Sequence, residues 1–206
     1  MRKMIAAAVL MLMLLPICAK PECMLSHSVG YSYTTNAFSN PLPPLASAGD
    51  TFIKRSDVFS SVSFSLFPDQ SSRIGISADL SFGFPFESEI IVSGGPGNGS
   101  TGTMEKGDIS ISVSAGIRIR AALGRFHYGA SIRLCVASLL YFRDGVLFGL
   151  ETEPFAGMMI TDRLFLSLDV PIRADLFKFI ESDSAYYENG FSMIKAGARL
   201  ALGYVF

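Results

Sequence analysis

Residues 73–85 read Arg-Ile-Gly-Ile-Ser-Ala-Asp-Leu-Ser-Phe-Gly-Phe-Pro. Every second residue is apolar: Ile74, Ile76, Ala78, Leu80, Phe82, Phe84. Between them lie Gly75, Ser77, Asp79, Ser81 and Gly83. Side chains on a strand alternate between its two sides, so the segment is a ribbon with one oily face and one small, polar face. The pattern recurs along the chain. Residues 109–120 alternate Ile, Ile, Val, Ala, Ile, Ile with Ser, Ser, Ser, Gly, Arg, Arg.

Eight such segments are expected, over 25–34, 57–67, 73–85, 108–120, 126–140, 146–160, 164–177 and 191–206. On the oily face of the second to the eighth, no position carries a charge, although 17% of the chain is charged. Lipid contact imposes that exclusion, because Arg or Lys near the bilayer midplane costs about 2–4 kcal/mol. Most of these segments are also longer than the roughly 5–6 residues of globular strands, as a tilted span requires. Half the residues are hydrophobic. After residue 17, however, no apolar run reaches the roughly 20 residues of a spanning helix. Apolar residues spread singly along strands are the mark of a membrane barrel.

Join lengths alternate. Segments 68–72, 121–125 and 161–163 are short, whereas 35–56, 86–107 and 178–190 are long; the short join 141–145 departs from the rule. Short turns on one side and long loops on the other match periplasmic turns and extracellular loops, with both termini periplasmic. The expected fold is therefore all-β: an eight-stranded antiparallel up-and-down transmembrane β-barrel over residues 24–206. Residues 1–19 read as a signal peptide. Arg2 and Lys3 precede an apolar stretch from Met4 to Leu15, followed by a Pro16-Ile17-Cys18-Ala19 exit. Pro154 and Pro171 interrupt the pattern, and a bulge or register break is expected at Pro154. Aromatic girdles are expected from Phe126, Tyr128, Tyr204 and Phe206 at the periplasmic rim, and from Tyr31, Tyr33, Phe84 and Phe148 at the outer rim. A soluble lipocalin-like barrel is the rival reading, with the oily face turned inward.

The inner face carries Gly, Ser and a minority of charges. Asp79, Glu151, Glu153, Asp169 and Asp175 are expected there against Arg118, Arg120, Arg133, Arg173, Lys195 and Arg199. Unpaired charge in so narrow a lumen is costly, so an ion-pair network is expected. Net charge is −1 with no basic stripe, which removes the electrostatic basis for nucleic-acid binding. Cys23 and Cys135 are expected as free thiols, and no metal-ligand spacing is present. His127 and Ser131 share the inner face, but a barrel-lining histidine hydrogen-bonded to its neighbours is the expected role. No catalytic, cofactor or metal site is assigned, and the chain reads as non-enzymatic.

The C-terminus sets Leu200, Leu202, Tyr204 and Phe206 at alternating positions and ends on Phe206. This resembles the terminal signature read by the barrel assembly machinery. The mature chain resembles the small eight-stranded outer-membrane barrels of the OmpX, OmpA-transmembrane and OmpW kind. The resemblance implies residence among outer-membrane lipids of a diderm bacterium and a role at the cell surface. Two functions are expected from it: a surface protein whose loops 35–56, 86–107 and 178–190 bind external ligands, or OmpW-like passive uptake of small hydrophobic molecules.

Overall fold

The computed structural model describes residues 21–38, 50–93, 100–103, 109–139, 145–180 and 191–206. Residues 1–19, read above as a signal peptide, and residues 39–49, 94–99, 104–108, 140–144 and 181–190 lie outside them. The chain forms β1 (Glu22–Phe38), β2 (Asp50–Phe67), β3 (Ile74–Ser93), β4 (Ser100–Thr103), β5 (Ser110–Leu123), β6 (Phe126–Leu139), β7 (Gly145–Met159), β8 (Leu164–Asp169), β9 (Ile172–Ile180) and β10 (Phe191–Val205). All pairings are antiparallel. The order runs β1, β2, β3, β5, β6, β7, then β8 and β9 end to end, then β10, which pairs back onto β1. Eight staves thus close a barrel, and β4 is a short addition to the upper end of β3.

Following the register once around the wall gives the stagger. Ile74 faces Ile119, Ile119 faces Ala130, and Ala130 faces Pro154. Pro154 lies opposite Val170, whose N–H it accepts. The path continues through Ala198, Tyr31 and Val58 to Phe84. It returns to β3 ten residues above its start (84 − 74). A stagger of that size tilts the strands, as closure of a barrel demands. The outward run of β3 from Ile74 to Phe84 is then ten steps, rising about 25 Å at roughly 3.3 Å per step and a tilt near 40°, the height of a hydrocarbon band.

The faces are unambiguous. Ile74, Ile76, Leu80, Phe82 and Phe84 are exposed, while Ser77, Asp79 and Ser81 are buried. The same alternation holds around the wall, with Val113, Ile132 and Leu200 outside and Ser114, Arg133 and Arg199 inside. The oily face looks outward, which excludes the lipocalin-like arrangement. All eight residues expected in the aromatic girdles are exposed.

Two corrections concern the wall. Segments 35–38, 50–56, 86–93, 100–103 and 178–180 are strand and not loop. A backbone ladder propagates from a rigid wall whatever the side chains, so the hairpin arms outrun the hydrophobic pattern that marks the span. Nor does Pro154 bulge. Phe155 faces Asp169 and Thr152 faces Ile172, so the residue numbers sum to 324 on either side of the proline. The ladder is interrupted instead at Val170–Pro171, between β8 and β9, with register kept. Pro154 offers no N–H to the carbonyl of Val170, and Pro171 offers none to that of Gly197. The true irregularities sit between Ser56 and Asp57, where Phe86 is the extra residue opposite, and between Phe148 and Gly149, opposite position 176.

The end of the barrel that holds both the start of β1 and the end of β10 is packed apolar. Met24, Phe67 and Phe165 are buried together, with Met159 and Val205 against them. Three rings lie where glycine leaves room: a Cβ on Gly75, Gly129 or Gly203 would run into Phe67, Phe155 or Phe165 respectively. Gly124 takes φ 61° in the tight turn between β5 and β6, a conformation that suits glycine. In the first turn the Asp69 carboxylate accepts from the Ser71 hydroxyl at 2.6 Å and amide at 2.7 Å. Hydrogen bonds from Ser71 and Ser72 hold it below the ordinary carboxylate range.

Candidate functional site: the charged lumen

The lumen is built in layers, because each stave contributes one inward side chain every second residue. At the floor, Arg120 stacks its guanidinium 3.7 Å over the Phe67 ring. It donates to the carbonyls of Ser72 (3.1 Å) and Gln70 (3.1 Å) and pairs with Glu22. One side chain thereby ties β5, the first turn and the start of β1 over an apolar bed.

At mid-height stands the main node. Arg199 reaches from β10 to Asp79 on β3 at 2.9 Å and to Ser61 on β2 at 2.5 Å; it also pairs with Glu153 on β7 and lies 3.4 Å from Asp169 on β8. Arg133 on β6 pairs with Glu153 at 2.6 Å and Glu151 at 2.7 Å. Ser63 donates to Asp79. Arg133 and Glu153 have fully buried side chains. Five staves besides β10 are thus joined across the interior by two arginines and four acids. Burying so many charges is tolerable only because each has partners.

Above the node, Arg173 Nε donates to Asp175 at 2.6 Å, and near the outer end Arg55 pairs with Asp57 at 2.6 Å. A cavity of about 20 Å³, room for a single water, lies between these layers. Its lining includes Phe59, Asp79, Glu151, Pro171, Lys195 and Arg199.

All eleven charged residues named from the sequence face the interior, but they do not form one network. Arg118 and Lys195 have no ion pair among the described residues. Arg118 sits 3.8 Å over Phe155, and the Lys195 ammonium 5.4 Å from the Phe59 centroid. An aromatic face takes the place of a carboxylate there. Glu22, Arg55 and Asp57 join the charged lining although sequence reasoning passed them over. Glu22 precedes the first clear alternation, Arg55 falls in a segment read as loop, and Asp57 is the first residue of the second expected strand; Ser56 between them is buried on the outer face, 3.1 Å from the Tyr31 hydroxyl.

His127 corrects another expectation. Neither ring nitrogen has a hydrogen-bond partner. The imidazole is held by Phe165 (5.4 Å, edge-on) and Phe155 (6.1 Å) over the gap left by Gly157. The staves beside it present Ala122 and Gly157 in register, and Phe155 and Phe165 close over the ring, so among the described residues no polar group bonds to it. Ser131 is buried with an unpartnered hydroxyl, and Glu153 beside it is committed to the two arginines. The three do not form a nucleophile, base and orienter. Cys23 and Cys135 are free.

At the closing seam, Leu200, Leu202, Tyr204 and Phe206 are all exposed on the outer face. The Phe206 amide donates to the Cys23 carbonyl at 2.8 Å, and the rings of Tyr204 and Phe206 meet at 4.9 Å. The last residue is therefore part of the wall.

No protein-family model matches the chain, and no curated protein matches it. Solved structures do align. The outer membrane protein OprG from Pseudomonas aeruginosa matches at 13% identity and TM-score 0.49, over 91% of this chain and 96% of its own. Neisserial surface protein A matches at 9% identity and TM-score 0.46, over 88% and 97%. Ail, the attachment invasion locus protein of Yersinia pestis, matches at 10% identity and TM-score 0.39, over 89% and 98%. The chain's own register, outward apolar belt and charged lumen make it a closed eight-stranded β-barrel of the outer-membrane type.

Proposed function

We propose that this protein is a sealed, non-enzymatic outer-membrane barrel whose extracellular hairpins bind external ligands. The observation that carries the reading is the Arg199 node. Its contacts on β2, β3, β7 and β8 cross the lumen, and the apolar floor with Arg120 closes the periplasmic end. A wall so braced is a rigid platform, and the arms of β1, β2 and β3 that rise beyond the belt are what it holds out to the medium. Binding sites usually lie on such segments.

Single-channel recording on refolded protein in planar bilayers tests the seal. Wild type is expected to be silent, and Arg199→Ala with Arg133→Ala is expected to admit small ions. Steady conductance from wild type overturns the reading. Loss of surface binding when the 39–49 and 94–99 tips are shortened tests the second half.

A second reading, passive uptake of small hydrophobic molecules, is favoured by one feature: the interrupted ladder at Val170–Pro171, where Pro171 borders the luminal cavity. Such a molecule would have to leave through the wall, because the lumen is lined with charge. Uptake of a fluorescent hydrophobic probe into vesicles holding the protein, abolished by Pro154→Val with Pro171→Val, would favour it over the sealed platform.

A further inference from the structure

The outward belt contains a polar pair that neither the lumen nor the hairpins explain. His27 Nε2 lies 2.9 Å from Ser60 Oγ, on the lipid side of β1 and β2. In register His27 faces Val62 and Leu202, and Ser60 faces Val29 and Phe82. Between the two girdles, the outward positions of the described residues are otherwise apolar, save Thr152 on the far wall. Counted along β1, His27 sits two residues above Leu25 and four below Tyr31, inside the hydrocarbon.

The pair does not satisfy itself. A neutral imidazole and a hydroxyl own one proton each, and the contact between them uses only one. The other imidazole nitrogen, Nδ1, faces a medium that offers no hydrogen bond, and such groups within a membrane mark functional contacts. The neighbours on the outer face are Leu25, Val29, Val62 and Phe64, so no carboxylate of the same face orients the histidine. The geometry of an ester hydrolase is not built here.

We propose that the β1–β2 face is a two-fold contact between two copies of this barrel, centred on His27. Two copies inserted by the same route have the same orientation, so a two-fold relating them runs along the membrane normal. That operation preserves depth. A polar group in mid-membrane therefore meets its own copy and nothing else polar. A charge would repel itself there, whereas neutral histidine and serine are each donor and acceptor and complement themselves. The short flanking Val29 and Val62 let the two faces approach.

Disulfide trapping tests this. The full chain, with Cys18, Cys23 and Cys135 changed to Ser, is refolded into phosphatidylcholine vesicles carrying either Val62→Cys or, on the opposite wall at similar depth, Ile132→Cys. Oxidation is expected to give dimer from Val62→Cys and only background from Ile132→Cys. His27→Leu is expected to lower the Val62→Cys dimer by about three- to twenty-fold, the range that polar contacts between membrane segments are worth. Heat-modifiable gel migration reports that the barrel itself is intact, and Ser60→Ala, which keeps the imidazole, provides a milder loss in the same direction. Equal yields at the two positions, or a Val62→Cys dimer that neither variant weakens, would mean that lipid alone covers this face and would overturn the proposal.

Discussion

Arg199 on β10 and Asp79 on β3 are joined by a 2.9 Å ion pair although three seams of the wall separate them. The contact is only possible because the barrel is narrow enough for one side chain to cross it. It makes the lumen a stabilising element as well as a seal.

Arg199→Ala removes the partner of Asp79, Glu153 and Asp169 together. Leaving buried carboxylates uncompensated is expected to cost about 3–5 kcal/mol, read from urea unfolding in lipid vesicles. Converting the node to neutral groups of similar volume, Arg199→Met with Glu153→Gln and Asp79→Asn, is expected to cost much less. A triple variant as unstable as Arg199→Ala would show that the node acts through specific geometry and not through charge compensation.

Leu134 and Leu123 are both strongly exposed, 73% and 75%, at different depths. Leu134→Arg, in mid-belt on β6, is expected to destabilise by about 2–4 kcal/mol, and Leu123→Arg, at the periplasmic rim, by about 0–1 kcal/mol. Equal costs would place the membrane band elsewhere on the wall.

Pro154→Val restores an N–H opposite the Val170 carbonyl. One recovered rung is worth about 0.5–1.5 kcal/mol, and part of it is lost because the variant also loosens the unfolded chain. Slow amide exchange at position 154 of the variant is the cleaner readout. Fast exchange there would mean that the break is held open by Pro171 alone.

Gly203→Val places side-chain atoms where the Phe165 ring lies. Overpacking of this kind is expected to cost about 1–3 kcal/mol. Phe165→Leu should relieve it, so the double variant is expected to lose less than the two single losses added. Strict additivity in refolding yield and unfolding midpoint would deny the ring-on-glycine contact.

Much of this architecture was legible in the amino-acid order, and the reason is the solvent. Lipid on one side and a tight, polar lumen on the other leave a period of two that residues 73–85 carry plainly, and the exclusion of charge tells which face meets lipid. The inward placement of residues such as Asp79, Arg133 and Arg199 follows from the same parity. Parity says nothing about partners. Which arginine meets which acid depends on the ten-residue stagger that brings Asp79, Glu153 and Asp169 to one height, and stagger is a property of closure. Arg118 and Lys195 find rings in place of acids for the same reason. Local pattern also misled where backbone pairing outlasts hydrophobic contrast, in the segments 35–38, 50–56, 86–93, 100–103 and 178–180, and where Pro154 and Pro171, one register position apart on neighbouring staves, each remove a rung without shifting register. The isolation of His127 among phenylalanines and the pairing of His27 with Ser60 arise from neighbours more than twenty residues away, so only the tertiary structure decided them.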